Sequence, residues 1–420
     1  MKDYDLIVVG GGLSGTCAAI SASRHGLRVL LIEKTGSLGG TATNGLVTPF
    51  MPTTTKINGK KEELCRGIFE EIKCELEKIN ELYLNSFSSE ALKLILDQMV
   101  EKAGVDVLFH TSLIGAHAND GKITSITISN IEGISELSAP YYIDASADAQ
   151  LIYLSGMDYT LGREGDGLCQ PMTLSFRVGG VLEKEFFDDI DNLQEKYKNA
   201  KVRGEISCPR ENILVFKTTN QGILHFNTTR VIKKSPTNAR EISLAEIEGR
   251  KQAFEIFNFL KKNAKGMENS VLLQTGAQIG VRESRRVLGE YVLTGKDARE
   301  KRIFKDTIAL SNYDIDIHNP EGEGTSHYYF GEGEYFGVPY RALVPRGAKN
   351  VLVAGRCISC DHEAQASIRI MPIVSVIGQV CGIAIAQAKG EEKELLNIDT
   401  SELINKLIEE KVIFNYKENL

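Results

Sequence analysis

The feature that most constrains the fold is a glycine-rich turn between an apolar strand and a small-residue helix near the start of the chain. Residues 6–9 read Leu-Ile-Val-Val, an uninterrupted apolar run typical of a strand buried on both faces. The turn at 10–15 reads Gly-Gly-Gly-Leu-Ser-Gly, and residues 16–25 continue as a helix. A second apolar strand at 28–32 leads directly into Glu33. This order predicts a dinucleotide-binding, Rossmann-type unit.

Each glycine of the G-x-G-x-x-G pattern has a separate physical role. Gly10 permits the tight turn, Gly12 lets the backbone approach a pyrophosphate, and Gly15 lets the helix pack closely on the strand. The free N–H groups at the start of the helix then meet the phosphates. Glu33 is expected to accept hydrogen bonds from a ribose diol, and its charge repels the 2′-phosphate of NADP.

Composition and charge exclude several classes of protein. The net charge of −7 argues against nucleic acid as the main partner, because phosphate binding needs a basic surface. The eight cysteines are scattered, without the spacing of a disulfide framework or of a zinc or iron–sulfur site, so no metal is predicted. The first core strand begins at about residue 5, which leaves no room for a signal peptide. We therefore expect a cytoplasmic protein.

One uncharged segment, 370–388, has the length of a membrane span. It contains Gln379, however, and the pair Gly378 and Gly382 one helical turn apart. Polar and small residues of this kind favour a buried helix of a soluble protein, so no membrane span is predicted.

The segment after Glu33 alternates between helical spacing and short strand patterns. The predicted elements are helices at 64–79 and 91–103, and strands at 105–109, 123–129, 134–137 and 141–148. The order strand, helix, strand, β-meander, strand is that of FAD-type rather than simple NAD-type Rossmann domains. This order therefore changes the predicted cofactor from a nicotinamide to a flavin dinucleotide.

The pattern changes in the middle of the chain and then returns. A capping box predicts a long helix over 243–264, in a region with the alternation of a sheet. The later strand at 350–354 resumes the Rossmann character. We predict an α/β fold with a discontinuous FAD-binding domain of parallel sheet plus β-meander, at 1–160 and 345–420, and an inserted α+β substrate domain at 161–344.

Motifs in the second half of the chain add a resemblance to a known family. They are Gly-Val-Arg-Glu-Ser-Arg-Arg at 280–286, Asp-Ile-His at 316–318, Val-Pro-Tyr-Arg at 338–341, Ala-Gly-Arg-Cys-Ile-Ser at 354–359 and His-Glu-Ala at 362–364. With them the chain resembles the FAD-dependent oxidoreductases of glutathione-reductase-type fold, in the branch near the fumarate reductase flavoproteins. The resemblance spans nearly the whole chain and implies FAD as the cofactor.

The resemblance also implies which residues bind FAD. They are Gly10, Gly12, Leu13, Ser14 and Gly15 at the pyrophosphate, Glu33 with its neighbour Lys34 at the adenosine ribose, Gly39, Gly40 and Thr41 at the ribityl and flavin region, Leu113 and Ala145 near the adenine, Gly355 and Arg356 at the ribitol, and Met371 at the flavin's pyrimidine end. A helix N-terminus at that end suits the negative charge of reduced flavin.

The sequence departs from the family pattern at two places. No histidine lies between His25 and His110, so the attachment histidine is missing and covalent flavin is not expected. Arg356 also follows Gly355 where the ribitol-binding motif usually has an acid, so the ribitol contact differs.

The candidate catalytic residues come from the later motifs. Arg282, with Arg285 and Arg286, could form a fork for a carboxylate, or all three could form a structural salt-bridge cluster. The others are each a candidate acid, base or orienting group, with a satisfied core or surface position as the alternative: His318, Tyr340, Arg341 and His362.

These residues predict an FAD-dependent oxidoreductase that transfers a hydride between non-covalent flavin and a small polar metabolite, with a carboxylate as one option. One alternative is an FAD-binding electron-transfer subunit with a protein redox partner. Another is a thiol–disulfide oxidoreductase that uses Cys357 and Cys360. Because no second G-x-G-x-x-G follows, electrons would pass to or from the substrate, a separate carrier or oxygen. The sequence leaves the oligomeric state, including a homo-oligomer, open.

Overall fold

The computed structural model describes residues 3–416. Its helices are α1 (Leu13–Arg24), α2 (Ile68–Lys78), α3 (Ser89–Ala103), α4 (Gln150–Leu154), α5 (Glu183–Asp188), α6 (Ile190–Val202), α7 (Ala239–Asn263), α8 (Gly295–Arg299), α9 (His362–Ile368), α10 (Met371–Glu391) and α11 (Thr400–Glu409). Short 3-10 turns occupy Gly40–Ala42, Tyr340–Ala342 and Leu395–Asn397.

The strands are short and lie between Leu6 and Val353. In the first part of the chain they are β1 (Leu6–Val9), β2 (Val29–Ile32), β3 (Thr54–Ile57), β4 (Lys60–Glu63), β5 (Leu82–Tyr83), β6 (Ser86–Phe87), β7 (Asp106–Leu108), β8 (Ser112–Asn119), β9 (Lys122–Asn130), β10 (Gly133–Leu137) and β11 (Tyr141–Asp144). The remainder are β12 (Tyr159–Leu161), β13 (Phe176–Gly179), β14 (Val215–Lys217), β15 (Ile223–Phe226), β16 (Val271–Thr275), β17 (Arg285–Val287), β18 (Thr307–Ser311), β19 (Ile315–His318), β20 (Thr325–Tyr328), β21 (Phe336–Pro339) and β22 (Val351–Val353).

A five-stranded parallel sheet in the order β22-β11-β1-β2-β7 forms the centre of the cofactor side. Residues 6–9 are buried along their whole length, as the apolar run predicts. Because all five strands are parallel, their carboxyl ends meet at one edge. Gly10, Glu33, Ala145 and Gly355 follow four of these strands and are therefore brought to the same edge.

A three-stranded antiparallel meander, β10-β9-β8, lies between strands β7 and β11 of the parallel sheet along the chain. The sequence correctly predicted a meander, but its strands were partly wrong. The predicted strand at 105–109 is β7 of the parallel sheet, and the missing meander strand is β8. Its Ser-Leu-Ile-Gly-Ala-His-Ala-Asn sequence has small residues and a mostly exposed pattern, so the alternation signal is weak.

Two main hydrophobic cores divide the molecule. The first surrounds the parallel sheet and includes the segments 287–310 and 336–354. The second lies between the four-stranded sheet β14-β15-β13-β16 and helices α6 and α7, and it contains only residues between Phe176 and Met267. The part of the insertion with its own large core is therefore shorter than the predicted domain 161–344, because its last third packs with the cofactor side.

Helix α7 begins earlier than the capping box at residue 243 suggested. Its N-cap is Asn238, whose side-chain oxygen accepts hydrogen bonds from the backbone N–H groups of Arg240 and Glu241. Ser243 lies inside the helix and donates to the carbonyl of Ala239, 2.7 Å away. A serine four residues after a carbonyl can bond back to it within a helix, so the Ser-x-x-Glu pattern was a misleading start signal.

Helix α10 is the one described helix that is long and apolar enough to cross a membrane, and 83% of its most apolar window is buried inside the protein. It packs along α1 through its two glycines. A side chain at Gly378 would overlap the carbonyl of Ser14, and one at Gly382 would contact the backbone of Ala18 and Ala22. Gly378 thus faces Ser14, and the later Gly382 faces the later Ala18 and Ala22, so the two helices run in the same direction.

Candidate functional site

The glycine turn places its backbone around an open space at the carboxyl edge of the parallel sheet. Gly10 has φ +104°, and a side chain there would meet the backbone of Ala145. A side chain at Gly15 would overlap the carbonyl of Gly10, so helix and strand are in close contact. At Gly12, a Cβ would meet no atom within 4 Å. The space that a ligand needs is therefore beside Gly12, as the fingerprint predicts.

The second glycine pair closes one side of this space. The N–H of Gly39 donates to the carbonyl of Gly11 at 2.8 Å, and Gly39 forms a parallel bridge with Gly12. A side chain at Gly40 would come within 2.9 Å of the Gly12 Cα. Thr41 follows, partly buried in the 3-10 turn. The predicted ribityl segment thus lies directly against the predicted pyrophosphate turn.

Glu33 lies beside the glycine turn and also stabilises it by accepting hydrogen bonds. Its Oε2 accepts from the Gly11 N–H at 2.6 Å, and its Oε1 accepts from the N–H and hydroxyl of Thr35, each at 2.8 Å. The side chain is 6% exposed, whereas Lys34 is exposed. The role of Glu33 at an adenosine ribose stays a prediction. Its bonds to the turn were not anticipated from the sequence.

Gly355 and Arg356 approach the glycine turn from β22. A Cβ at Gly355, which has φ +97°, would lie 3.6 Å from the Ser14 Cβ. Arg356 Nη2 donates to Asp148 Oδ1 at 2.7 Å, while its Nε is buried without a hydrogen-bond partner. Ser14 Oγ is likewise buried without a partner. Two unpartnered polar atoms beside an open glycine turn fit a diphosphate-bearing cofactor.

Helix α10 directs its N-terminus toward the same region. It starts seven residues before Gly378, so it extends about 10 Å beyond the start of α1 at a rise of 1.5 Å per residue. Met371, its first residue, is partly buried, and the first turn contains no acidic side chain. A helix N-terminus of this kind favours negative charge. Leu113, at the start of β8, pairs with Ile128 on the meander, and its adenine contact stays a prediction.

The three arginines of the 280–286 motif do not form one cluster. Arg285 stacks on Tyr153 at 4.2 Å from the ring centre, and Arg286 forms a buried ion pair with Glu283. Arg282 extends elsewhere and donates to the Pro171 carbonyl and the Thr173 hydroxyl, both at 2.7 Å. The structural alternative therefore fits Arg285 and Arg286, while Arg282 remains a site candidate.

Arg282 belongs to a different group, which we call the arginine cluster. It consists of the four arginines whose charges act on His318, namely Arg210, Arg230, Arg282 and Arg369. Arg230 is 1% exposed and donates from Nη2 to His318 Nδ1 at 3.2 Å. His318 Nε2 lies 3.2 Å from Asp316 Oδ1, and Arg369 Nη2 lies 3.7 Å from Asp316 Oδ2. The sequence identified Arg282 and His318, but it missed Arg210, Arg230 and Arg369.

The electrostatics of the cluster keep His318 uncharged. Burial, and then the charges of the four arginines, hold the pKa of His318 far below its ordinary value of 6.5. Burial, followed by the neighbouring Arg369 and Arg210, also lowers the pKa of Arg282 to about 9. The cluster therefore concentrates positive charge in a place with little water, which is a suitable site for an oxyanion.

The sequence matches the model of the family described as FAD dependent oxidoreductase over residues 5–407. The chain belongs to this family. It is an enzyme, and its cofactor is FAD. The parallel sheet, the meander and the open glycine turn agree with that assignment.

Two curated relatives match shorter stretches of this FAD-dependent oxidoreductase. Vinyl phenol reductase of Lactiplantibacillus plantarum is 34% identical over 110 residues, which cover 25% of this chain and 22% of the relative. Dihydrolipoamide dehydrogenase of Chaetomium thermophilum is 30% identical over 143 residues, which cover 31% of this chain and 27% of the relative. The matches thus span about a quarter of the length of these relatives.

A solved structure aligns over a longer range. The geranylgeranyl bacteriochlorophyll reductase-like protein of Thermoplasma acidophilum covers 98% of this chain and 84% of its own, with 14% identity and a TM-score of 0.48.

Two candidate catalytic residues of this FAD-dependent oxidoreductase occupy structural positions. Tyr340 is fully buried, its hydroxyl donates to the Leu395 carbonyl at 2.7 Å, and burial raises its pKa well above 10. Arg341 is 44% exposed, pairs with Asp306 at 2.9 Å and lies over the Tyr291 ring. The structure therefore argues against both as groups that touch a substrate. The bonds of Tyr340 to Leu395 and of Arg341 to Asp306 instead join separate segments of the chain.

His362 lies at the first turn of α9 and faces a buried carboxylate. Its Nδ1 is 2.9 Å from Glu283, which also pairs with Arg286 and accepts from the Gln170 N–H at 2.9 Å. On the same helix, Gln365 donates to the Arg282 carbonyl at 2.7 Å. This network holds the backbone next to Arg282. We therefore place His362 as a positioning residue, and a direct catalytic role stays a prediction.

The two cysteines of the Cys-x-x-Cys segment are both buried and free. Cys357 donates its S–H to the Ala354 carbonyl, and Cys360 donates to the Ile358 carbonyl. Burial raises the pKa of each thiol well above 9, which disfavours the thiolate that disulfide exchange requires. Among the residues that the structure describes, no group of three or more His, Cys, Asp or Glu side chains is arranged to hold a metal.

Proposed function

We propose that this FAD-dependent oxidoreductase transfers a hydride between non-covalent flavin and a carbon of a small, negatively charged metabolite held by the arginine cluster. The observation that supports the proposal is the buried contact of Arg230 with His318, with the charges of three further arginines acting on the same ring, in a family whose cofactor is FAD. Bound FAD supplies the hydride chemistry, and the protein supplies binding, orientation and the control of protons.

The arginines would bind and orient the metabolite. Arg230 is fixed by the Glu211 carboxylate at 3.1 Å and by the carbonyls of Gly322 and Gly324, so its guanidinium is held in place before a ligand arrives. Arg282 is fixed by Pro171 and Thr173. Preordered donors of this kind lose little entropy on binding, and their planar forks suit a carboxylate.

His318 would hold a proton at Nε2. An arginine can only donate, so the bond from Arg230 requires Nδ1 to accept, and the Thr325 hydroxyl lies 3.1 Å from the same nitrogen. Because Nδ1 accepts the bond from Arg230, the neutral imidazole carries its proton on Nε2, on the side of Asp316. The histidine, held by Arg230 at Nδ1, would then act as a hydrogen-bond donor toward a ligand, because Asp316 Oδ1, which lies 3.2 Å from Nε2, accepts no hydrogen bond.

The test is anaerobic reduction of the purified, FAD-loaded protein by a panel of small carboxylates and neutral metabolites. We expect a carboxylate to bleach the oxidised flavin band rapidly, or to reoxidise the dithionite-reduced enzyme in the reverse direction. Failure of every anionic metabolite in both directions, with rapid reaction of a neutral one, would contradict the proposal. Rapid reduction by a metabolite alone would also exclude the alternative of a subunit that needs a protein redox partner.

The thiol–disulfide alternative has its own test. Because both thiols are buried and protonated, we expect the Cys360→Ser enzyme to keep full turnover with the metabolite that reduces the flavin. Loss of turnover at unchanged FAD content and thermal stability would revive the dithiol hypothesis.

A further inference from the structure

The charges in the arginine cluster do not balance. Four guanidinium groups meet two carboxylates within ion-pair distance among the described residues: Glu211 at Arg230 and Asp316 at Arg369. The bonds of the other two arginines go to neutral groups. Arg210 Nε donates to Asn212 Oδ1 at 2.9 Å, and Arg282 donates to Pro171 and Thr173.

The charges of these two arginines act on His318 and on each other, and both arginines are connected to the surroundings of Arg230. Arg210 precedes Glu211, which forms the ion pair with Arg230. Arg282 binds the Thr173 hydroxyl, and that hydroxyl donates at 3.1 Å to the carbonyl of Thr229, the residue before Arg230. The chain therefore places an excess of two positive charges around one histidine.

Among residues 3–416, no further ion pair of these arginines offsets this excess. Arg210 is 6% exposed and Arg369 has only 14% of its side chain exposed, so water screens the charges weakly. His318 accepts a bond from Arg230 and is neutral, so it adds no negative charge. Arg369 Nε is buried without a hydrogen-bond partner. An uncompensated buried charge is costly, and a donor without a partner adds to that cost.

We infer that the arginine cluster takes a small dianion, which supplies the two missing negative charges either as two carboxylates or as one phosphate group. This inference rests on the proposed function for the identity of the cluster as the substrate site. It sharpens the substrate class from any small anion to one of charge −2. A monoanion would leave one guanidinium uncompensated, and a neutral metabolite would leave two.

The experiment measures binding to the FAD-loaded protein without turnover. The probes are the saturated dicarboxylates from oxalate to glutarate, inorganic phosphate, and butyrate as a monoanion of similar size, at pH 8 and constant ionic strength. Titration calorimetry and thermal shift give the dissociation constants. We expect at least one dianion to bind ten-fold or more tightly than butyrate. Selective binding of phosphate indicates a phosphate ligand, and selective binding of one dicarboxylate indicates two carboxylates.

Two outcomes overturn the inference: butyrate binding as tightly as the best dianion, or no binding of any dianion. These outcomes are separate from failure of the proposed function. A protein that binds a dianion selectively but whose flavin no metabolite reduces would retain the dianion site and lose the redox proposal.

Variants separate a ligand-binding role from a structural one. We expect Arg210→Gln to lower dianion affinity at least ten-fold, toward that of butyrate, while the ligand-free protein melts at the same temperature or higher. Arg210→Lys keeps the charge and should keep the preference for dianions. The matched control is Arg203→Gln, because Arg203 is exposed and pairs with Glu205 on the surface. A lower melting temperature for Arg210→Gln with unchanged preference would show a structural role and contradict the inference.

Discussion

The glycine turn and the arginine cluster are suited to negative charge in opposite ways. At the turn, backbone N–H groups, a helix N-terminus and an absent side chain at Gly12 make room for a phosphate. At the cluster, four long charged side chains approach from separate segments, and each is held by its own partners. The turn contains partial charges that need no compensation, whereas the cluster contains full charges that do.

This difference determines which substitutions each region tolerates. The turn depends on the space around its backbone, so the identity of most side chains nearby matters little and the size at a few positions matters greatly. The cluster depends on charge number, so replacing one side chain changes what it can bind while the fold persists. Substitutions in the two regions are therefore expected to separate cofactor loading from substrate recognition.

The largest expected effect is at the turn itself. Gly12 has φ −63° and ψ 173°, which any residue adopts, and its Cβ direction is open. We expect Gly12→Val to fold with normal thermal stability and to bind FAD at least 100-fold more weakly, a loss of about 3 kcal/mol. Flavin absorbance per protein and a melt of the apoprotein measure the two properties.

Gly15→Val is the matched comparison, because a side chain there would overlap the Gly10 carbonyl. It should lose both FAD and stability. Full flavin content in Gly12→Val would show that the open space does not belong to the cofactor.

The next effect concerns substrate recognition. We expect Arg282→Gln to lower kcat/KM about 100-fold, close to 3 kcal/mol, because a charge-assisted bond to the metabolite is lost. FAD content should stay unchanged, since Arg282 contacts the insertion rather than the glycine turn. Steady-state kinetics with the metabolite that reduces the flavin provide the measurement. Arg203→Gln should stay within two-fold of wild type, and an equal loss there would remove the distinction between the two regions.

A smaller effect separates the insertion, which contributes to the arginine cluster, from the cofactor side, which contains the glycine turn, by their response to acid. Burial, followed by the charge of Arg177, lowers the pKa of His225 in the four-stranded sheet to about 3, from an ordinary 6.5. The unfolded chain therefore binds a proton that the folded chain does not, and stability falls as the pH drops from 6.5 toward 3. The slope is about 1.4 kcal/mol per pH unit for this residue.

Denaturant unfolding at several pH values measures this slope of the free energy of unfolding with pH. His225→Leu should flatten the slope by about that amount. His117→Leu, at an exposed position on the meander of the cofactor side, should leave it unchanged. Equal slopes for all three proteins would contradict the assignment of acid sensitivity to the insertion.

The smallest effect tests a residue that belongs to neither region. Tyr340→Phe removes the hydroxyl that donates to the Leu395 carbonyl, so we expect the free energy of unfolding to fall by about 1 kcal/mol with turnover unchanged. Thermal unfolding and kinetics on the same preparation are sufficient. A large loss of turnover at normal stability would restore Tyr340 as a catalytic candidate.

The two regions also differ in how well the sequence predicts them. The strand, turn and helix around Gly10–Gly15 are contiguous, so local spacing predicted the fold of this unit, and the position of the cofactor at the turn stays a prediction. Arg210, Arg230 and Arg369 lie in loops or at a helix end, separated by many residues, and no short pattern connects them. Their meeting depends on how the insertion packs. A local signal existed only for Arg369, a charged residue just before the apolar helix α10.

Local signals also failed where they competed with tertiary structure. The Ser243 capping pattern lies inside α7, and β8 forms despite small, exposed residues because β9 supplies its partner. Tyr340 and Arg341 matched a family motif, yet their bonds to Leu395 and Asp306 serve the core. A motif alone does not distinguish a residue that touches substrate from one that holds the core together.

The contact between α1 and α10 has a consequence for the order in which the protein matures. The glycine turn is synthesised long before the helix that covers α1 through Gly378 and Gly382. Gln379 of the same helix accepts a bond from Ser21 of α1 at 2.9 Å. During translation, the small-residue face of α1 therefore stays uncovered until α10 has emerged. We expect stable FAD binding only after α10 has packed on α1, so a product truncated before α10 would be released without FAD.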